Sequence, residues 1–125
     1  MMWEEVLLSD VSSIVGGATP KSKENSFWGG DIYWATPKDL SNLDSIYISK
    51  TERSITQAGI NSCAASILPE NSVLFSSRAP IGHVAINKVP MATNQGFKSI
   101  VPGPLLDAKF VYWWFKHNRK RLEGL

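Results

Sequence analysis

A chain of 125 residues, 43% hydrophobic and 19% charged, has the length of one domain and enough apolar content for a core, which excludes disordered and fibrous classes. Its longest wholly apolar run, Phe110 to Phe115, is far too short to cross a bilayer, and the lone Cys63 excludes an internal disulfide. The net charge of +2 is uneven: residues 1–108 carry eight Lys/Arg against ten Asp/Glu, residues 109–125 five against one, so a broad basic face over the body is excluded too.

In chain order, Trp3 to Leu8 has strand-like content and no signal peptide before it, which with the single thiol predicts a reducing, cytoplasmic setting. Ser9-Asp10 can cap a short helix over residues 11–15, VSSIV, stopped by Gly16-Gly17. Turn signals then recur up to residue 104: Gly29-Gly30, Thr36-Pro37, Leu68-Pro69, Pro80-Ile81-Gly82, Val89-Pro90 and Pro102-Gly103-Pro104. Between them, β-rich runs predict short strands at Ile32–Ala35, Ser45–Ile48, Ser72–Ser76, His83–Asn87 and Gly96–Val101. At Asp107 the pattern changes. An N-cap residue, apolar positions at 110, 111, 114, 115 and 122, and a basic last turn predict a C-terminal helix over residues 107–122. A helix ending so near Leu125 predicts that the chain is part of a longer protein.

The tetrapeptide Ala-Thr-Pro-Lys occurs at 18–21 and again at 35–38, but the flanks GGATPKSKEN and IYWATPKDLS share nothing else. That is no repeat period; the copies are two separate Thr-Pro turns. Catalysis has little to stand on. The two histidines, His83 and His117, are not near a nucleophile elbow, one Cys and two His make no zinc set, and there is no phosphate-binding loop of the G-x-x-x-x-G-K-[ST] kind. Asp107-Ala-Lys109 imitates half of a metal-nuclease motif, but residues 71–106 contain no Asp or Glu to complete it. What remains is a set of polar groups on turns. Arg78, between Ser77 and a Pro–Gly turn, is either a surface cation or a fork held for a phosphate or a guanine edge. Asn94 and Gln95 either satisfy loop backbone or present amides to adenine. Lys21, Lys23 and Lys38, with Thr36 at the second turn, are either solvated or placed against a nucleic-acid backbone.

Those turns also carry a resemblance. Gly17-Ala18-Thr19-Pro20, Gly30-Asp31-Ile32-Tyr33-Trp34-Ala35-Thr36-Pro37-Lys38-Asp39-Leu40, Ile55-Thr56-Gln57-Ala58-Gly59-Ile60-Asn61-Ser62, Ser76-Ser77-Arg78-Ala79-Pro80-Ile81-Gly82 and Thr93-Asn94-Gln95-Gly96-Phe97 follow one another at fitting intervals. With Trp3 at the start and Tyr112-Trp113-Trp114 at the helical exit, nearly the whole chain resembles the target recognition domain of the specificity (S) subunit of Type I restriction–modification enzymes.

The resemblance implies an α+β fold of the DNA methylase specificity domain type: a wound, short-stranded β region followed by a C-terminal helix, all within one domain over residues 1–125. It implies a non-catalytic module that reads half of a split double-stranded DNA target. Partner subunits would methylate with S-adenosylmethionine or restrict with ATP and Mg, so no cofactor is expected in this chain. The expected DNA-binding residues are Lys21, Lys23, Thr36, Lys38, Arg78, Asn94 and Gln95. Because family members reading different sequences share the signature pieces, Arg78, Asn94 and Gln95 are expected to shape the domain or hold phosphates. Base readers are expected in the off-signature stretches 22–25, 41–50 and 87–88. The family's spacer helix and second recognition domain do not follow Leu125, which predicts a fragment or half-subunit. It also predicts an uncovered aromatic helix face, and hence a homodimer through that helix, with Lys116, Arg119, Lys120 and Arg121 at its more solvated end. The competing reading is a protein-interaction module, or decayed remnant, that keeps the fold without reading DNA.

Overall fold

Short β-branched and aromatic runs, each closed by Pro, Gly or Asn, dictate strands too short to stand alone, so stability has to come from stacking them in layers. The computed structural model describes residues 12–77, 83–103 and 107–117. The strands are β1 (Ser12–Gly16), β2 (Trp28–Ala35), β3 (Tyr47–Ile48), β4 (Arg53–Ile55), β5 (Val73–Phe75), β6 (Val84–Asn87), β7 (Met91–Thr93) and β8 (Lys98–Pro102). The helices are α1 (Pro37–Ser41), α2 (Gln57–Asn61) and α3 (Ala108–His117), with a 3₁₀ turn at Asn25–Phe27.

A five-stranded sheet runs β1-β8-β5-β6-β3 and a three-stranded sheet runs β4-β2-β7. The larger is antiparallel except where β3 lies parallel to β6; in the smaller, β2 is antiparallel to β4 and parallel to β7. Strands β5 and β6 are buried along their whole length, as central strands covered on both faces must be. Leu74 and Ala85 face one way, into a core shared with Ala35, Ile48, Leu68, Met91 and Phe97. Val73, Phe75, Val84 and Ile86 face the other, onto Val111, Tyr112 and Phe115 of α3. Phe75 and Phe115 stack with ring centroids 4.5 Å apart. Each such side chain fully removed from water contributes roughly 1.5–3 kcal/mol. A third cluster, Trp34, Ile55, Ile60 and Ala92, lies between the small sheet and α2.

The α+β class and the C-terminal helix are as expected. Asp107 caps α3: its Oδ1 accepts the Lys109 N–H at 2.8 Å and its carbonyl accepts the Val111 N–H at 3.2 Å. The expected strands form within a residue or two of their predicted bounds, except that β2 begins at Trp28, four residues earlier. There Gly29, at φ +80°, lets the strand bulge between Trp28 and Ile32.

The helix expected over VSSIV is a correction. Its described part is strand β1, paired antiparallel residue for residue with β8 from Ser12↔Pro102 to Gly16↔Lys98. Five residues cannot nucleate a helix without packing, while Val and Ile gain by lying against a partner strand. The second Thr-Pro turn is the start of helix α1, and a short helix α2 and strands β4 and β7 add to the expected elements. The expected strand at Trp3 to Leu8 and the helix beyond His117 lie outside the described residues.

Candidate nucleic-acid interface

Parallel strands end at the same side of a sheet, so the loops that follow them emerge together. Strand β2 ends at Ala35 and β7 at Thr93, and those two residues are partners in the ladder. The Asn94 N–H donates to the Ala35 carbonyl at 3.0 Å, so Thr36-Pro37-Lys38 and Asn94-Gln95-Gly96 leave side by side. The first Ala-Thr-Pro-Lys loop lies across both. The Ala18 N–H donates to the Thr93 carbonyl at 3.1 Å, the Trp34 indole N–H donates to the Ala18 carbonyl at 3.0 Å, and the Thr19 hydroxyl donates to Oε1 of Gln95. Gly17 allows the crossing, because a Cβ there would stand 2.1 Å from the Asn94 carbonyl oxygen. Both copies of the tetrapeptide and the Thr-Asn-Gln-Gly loop therefore form one surface.

Thr36 is the N-cap of α1, with Pro37 in the first turn. Asp39 reaches back: its Oδ2 accepts the Thr36 N–H at 2.9 Å and the Thr36 hydroxyl at 3.2 Å, while Oδ1 accepts the Glu52 N–H at 3.1 Å. The Thr36 hydroxyl is therefore engaged internally, and Lys38 is left at the exposed edge, where its Nζ lies 3.6 Å from Glu52. With both side chains about seventy per cent exposed (71% and 67%), that pair holds the lysine only loosely and contributes about 0–1 kcal/mol.

Lys21 and Lys23 are exposed on the loop entering β2. The Lys21 carbonyl accepts the Trp28 indole N–H at 3.1 Å, which ties that loop to the sheet. Trp28 stands edge-on to the buried Trp34, centroids 5.0 Å apart, and carries the guanidinium of Arg53 over its ring at 3.8 Å. Arg53 pairs with Trp34 across the β2–β4 ladder and is itself exposed. Lys21, Trp28, Arg53, Glu52 and Lys38 thus make a continuous edge on the small sheet.

Of the expected contact residues, the structure brings together Thr36 and Lys38, Lys21 beside Trp28, and the pair Asn94 and Gln95. Lys23 shares the Lys21 loop, and Arg78 lies outside the described residues. The amide oxygens of Asn94 and Gln95 are engaged within the protein, the first accepting the Gly96 N–H at 2.9 Å and the second the Thr19 hydroxyl. Asn87 corrects an expectation. It is fully buried, accepts the Ser72 N–H at 2.7 Å, and donates to the carbonyls of Pro69 at 2.9 Å and Val89 at 3.0 Å, so it holds the β6 turn and cannot read a base. Lys88 beside it is exposed, its Nζ 4.3 Å from the Tyr47 ring centroid. Arg53 is the residue that sequence reasoning missed; its one sequence-level signal is its place just past an off-signature stretch. Among the described residues no group of three or more His, Cys, Asp or Glu could hold a metal, and no helix is long and apolar enough to cross a membrane.

The sequence and the fold are similar to those of known proteins. Residues 2–125 match the family model for the Type I restriction modification DNA specificity domain. The chain is 46% identical over 114 residues to the Type I restriction enzyme MjaIX specificity subunit of Methanocaldococcus jannaschii, a match covering 91% of this chain and 26% of that protein. It is 30% identical over 110 residues to the HindI specificity subunit of Haemophilus influenzae, covering 88% of this chain and 24% of that protein. The chain thus spans about a quarter of the length of these curated relatives. A crystal structure of the HsdS subunit from Thermoanaerobacter tengcongensis shares the fold, with a TM-score of 0.73 at 17% identity over 94% of this chain and 28% of that one. With a family model spanning almost every residue, the chain belongs to the Type I restriction modification DNA specificity domain family.

Proposed function

We propose that the chain is a target recognition domain that reads one half of a bipartite double-stranded DNA sequence and acts as guide for partner enzymes, with no catalytic groups of its own. The observation that carries this reading is the convergence of three sequence-distant turns, 17–20, 34–38 and 93–96, on one edge where Lys21, Lys38 and Arg53 are exposed. A body that is not basic throughout binds DNA by such local placement. Lys21, Lys23, Lys38 and Arg78 hold phosphates. Asn94 and Gln95 shape the loop and turn their amide nitrogens, which bond no described group, toward the duplex. Thr36 acts through the α1 cap.

The relatives' names, specificity subunits of Type I restriction enzymes, support membership of such an assembly, and its methylating and restricting subunits are the partners this reading requires. A second copy of the chain covers the exposed face of α3, where Phe110 and Trp113 are 50% and 52% exposed at i, i+3 spacing. Retention of a random-sequence duplex library on the chain at low salt, followed by sequencing, tests the reading. An enriched half-site supports it; a folded chain that enriches no sequence rejects it in favour of a protein-interaction module.

A further inference from the structure

Arginine reads a base only if its fork is aimed, and free side chains on a surface are not aimed. Arg53 is. Its guanidinium carbon lies 3.8 Å from the centre of the Trp28 ring and 5.3 Å from that of Trp34. The platform beneath is held from two sides: Trp28 donates its indole N–H to the Lys21 carbonyl and packs edge-on against Trp34, which is 3% exposed and bonded to Ala18. The backbone is held as well, since Thr51 accepts the Trp34 N–H at 3.1 Å and donates to the Arg53 carbonyl. Stacking uses the face of the guanidinium and leaves its in-plane donors at the rim. Those donors bond no described residue, and the neighbouring carboxylate, Glu52, is paired with Lys38. The other cations of this edge, Lys21, Lys23 and Lys38, are exposed lysines, whose flexible point charges suit phosphates and carry no sequence information.

We infer that Arg53, oriented on Trp28, is a specificity-determining residue that reads a guanine edge in the major groove of the half-site. The inference rests on the DNA-recognition reading and names a residue within it. A planar fork in a set orientation matches the O6 and N7 acceptors of guanine, the pairing that discriminates best among base contacts. Trp28 is the positioning residue. It acts by orienting Arg53 and touches no base.

The test repeats the duplex selection with the 125-residue chain and its R53A, R53Q and W28A variants, each first checked for folding by thermal melting. For R53A and R53Q the expected result is loss of preference at one G·C pair of the enriched half-site, about 5- to 150-fold, with the other positions and the salt dependence on non-cognate duplex unchanged. W28A weakens the same pair by less. R53Q keeps a planar head that can lie on Trp28, so it reports on recognition should R53A fail to fold. Three outcomes overturn the inference. Equal loss on all sequences with a lower salt slope makes Arg53 a phosphate contact. An unchanged profile makes the stack structural only, while the wild-type enrichment still upholds the DNA reading. A folded wild-type chain that enriches nothing overturns both.

Discussion

Gly17 shows how closely the two recognition loops are laid together. Any side chain there meets the Asn94 and Thr93 carbonyls, at 2.1 and 2.4 Å from a Cβ, and both are backbone atoms that cannot swing aside. Gly17→Ala should therefore cost about 1–3 kcal/mol, read as a lower urea midpoint with an unchanged m-value, because the strain lies in the native state. Lys38 is the opposite case. It is exposed and loosely held, so Lys38→Ala should leave stability unchanged, weaken binding to every duplex alike and lower the salt slope by about one, measured by titration at several salt concentrations. Sequence-selective loss would instead make it a base reader. At this scale the sequence was legible in part: Thr36-Pro37 was read as a turn, and with Asp39 it forms the capping box that starts α1. It left Arg53 unremarked and put Asn87 among the base readers, where it does not belong. Whether an arginine lies on an indole 25 positions earlier, or an asparagine is buried by a turn, is decided by strand pairing across the chain, and one sequence does not print that pairing.

Among elements, the strands were legible because β-branched runs between Pro and Gly turns have few alternatives. The exceptions are instructive. VSSIV has helix-like end signals, yet its described part pairs with β8 from Ser12 onward, since so short a segment takes its structure from its neighbour. Strands β4 and β7 were missed: Arg53-Ser54-Ile55 and Met91-Ala92-Thr93 each hold a single β-branched residue, so neither stands out as a β-rich run. Helix α3 was read from its cap and its apolar spacing, and its inner face is settled by packing: Val111, Tyr112 and Phe115 close the core behind β5 and β6. Burial pushes the Tyr112 phenol up, as expected for a hydroxyl on that inner face. Phe110 and Trp113 point away and keep half their surface in water. Sedimentation should accordingly show a concentration-dependent dimer, weakened about tenfold or more by Trp113→Glu because that change places a charge in the apolar contact. A strictly monomeric wild-type chain at high concentration would contradict the dimer.

In the whole molecule, the layers separate two surfaces. The small sheet carries the basic edge and the converging turns, while α3 lies on the far side of the large sheet, behind a core of its own. The proposed DNA contact and the proposed contact with a second copy therefore use different residues. The α+β class came with the resemblance that the signature pieces carry, and the strand-and-turn pattern agreed with it; that three of those pieces meet at one edge followed only from the parallel pairing of β2 with β7.

Whether DNA docks on that edge is decided by amide and indole NMR of the isotopically labelled chain, titrated with its enriched duplex. The largest shifts are expected at Lys21–Trp28, Thr36–Asp39, Glu52–Arg53 and Asn94–Gln95, including the Trp28 indole proton now bonded to the Lys21 carbonyl, with α3 unmoved. Shifts centred on α3 and the outer face of the large sheet, with the Trp28 indole signal unchanged, would contradict it.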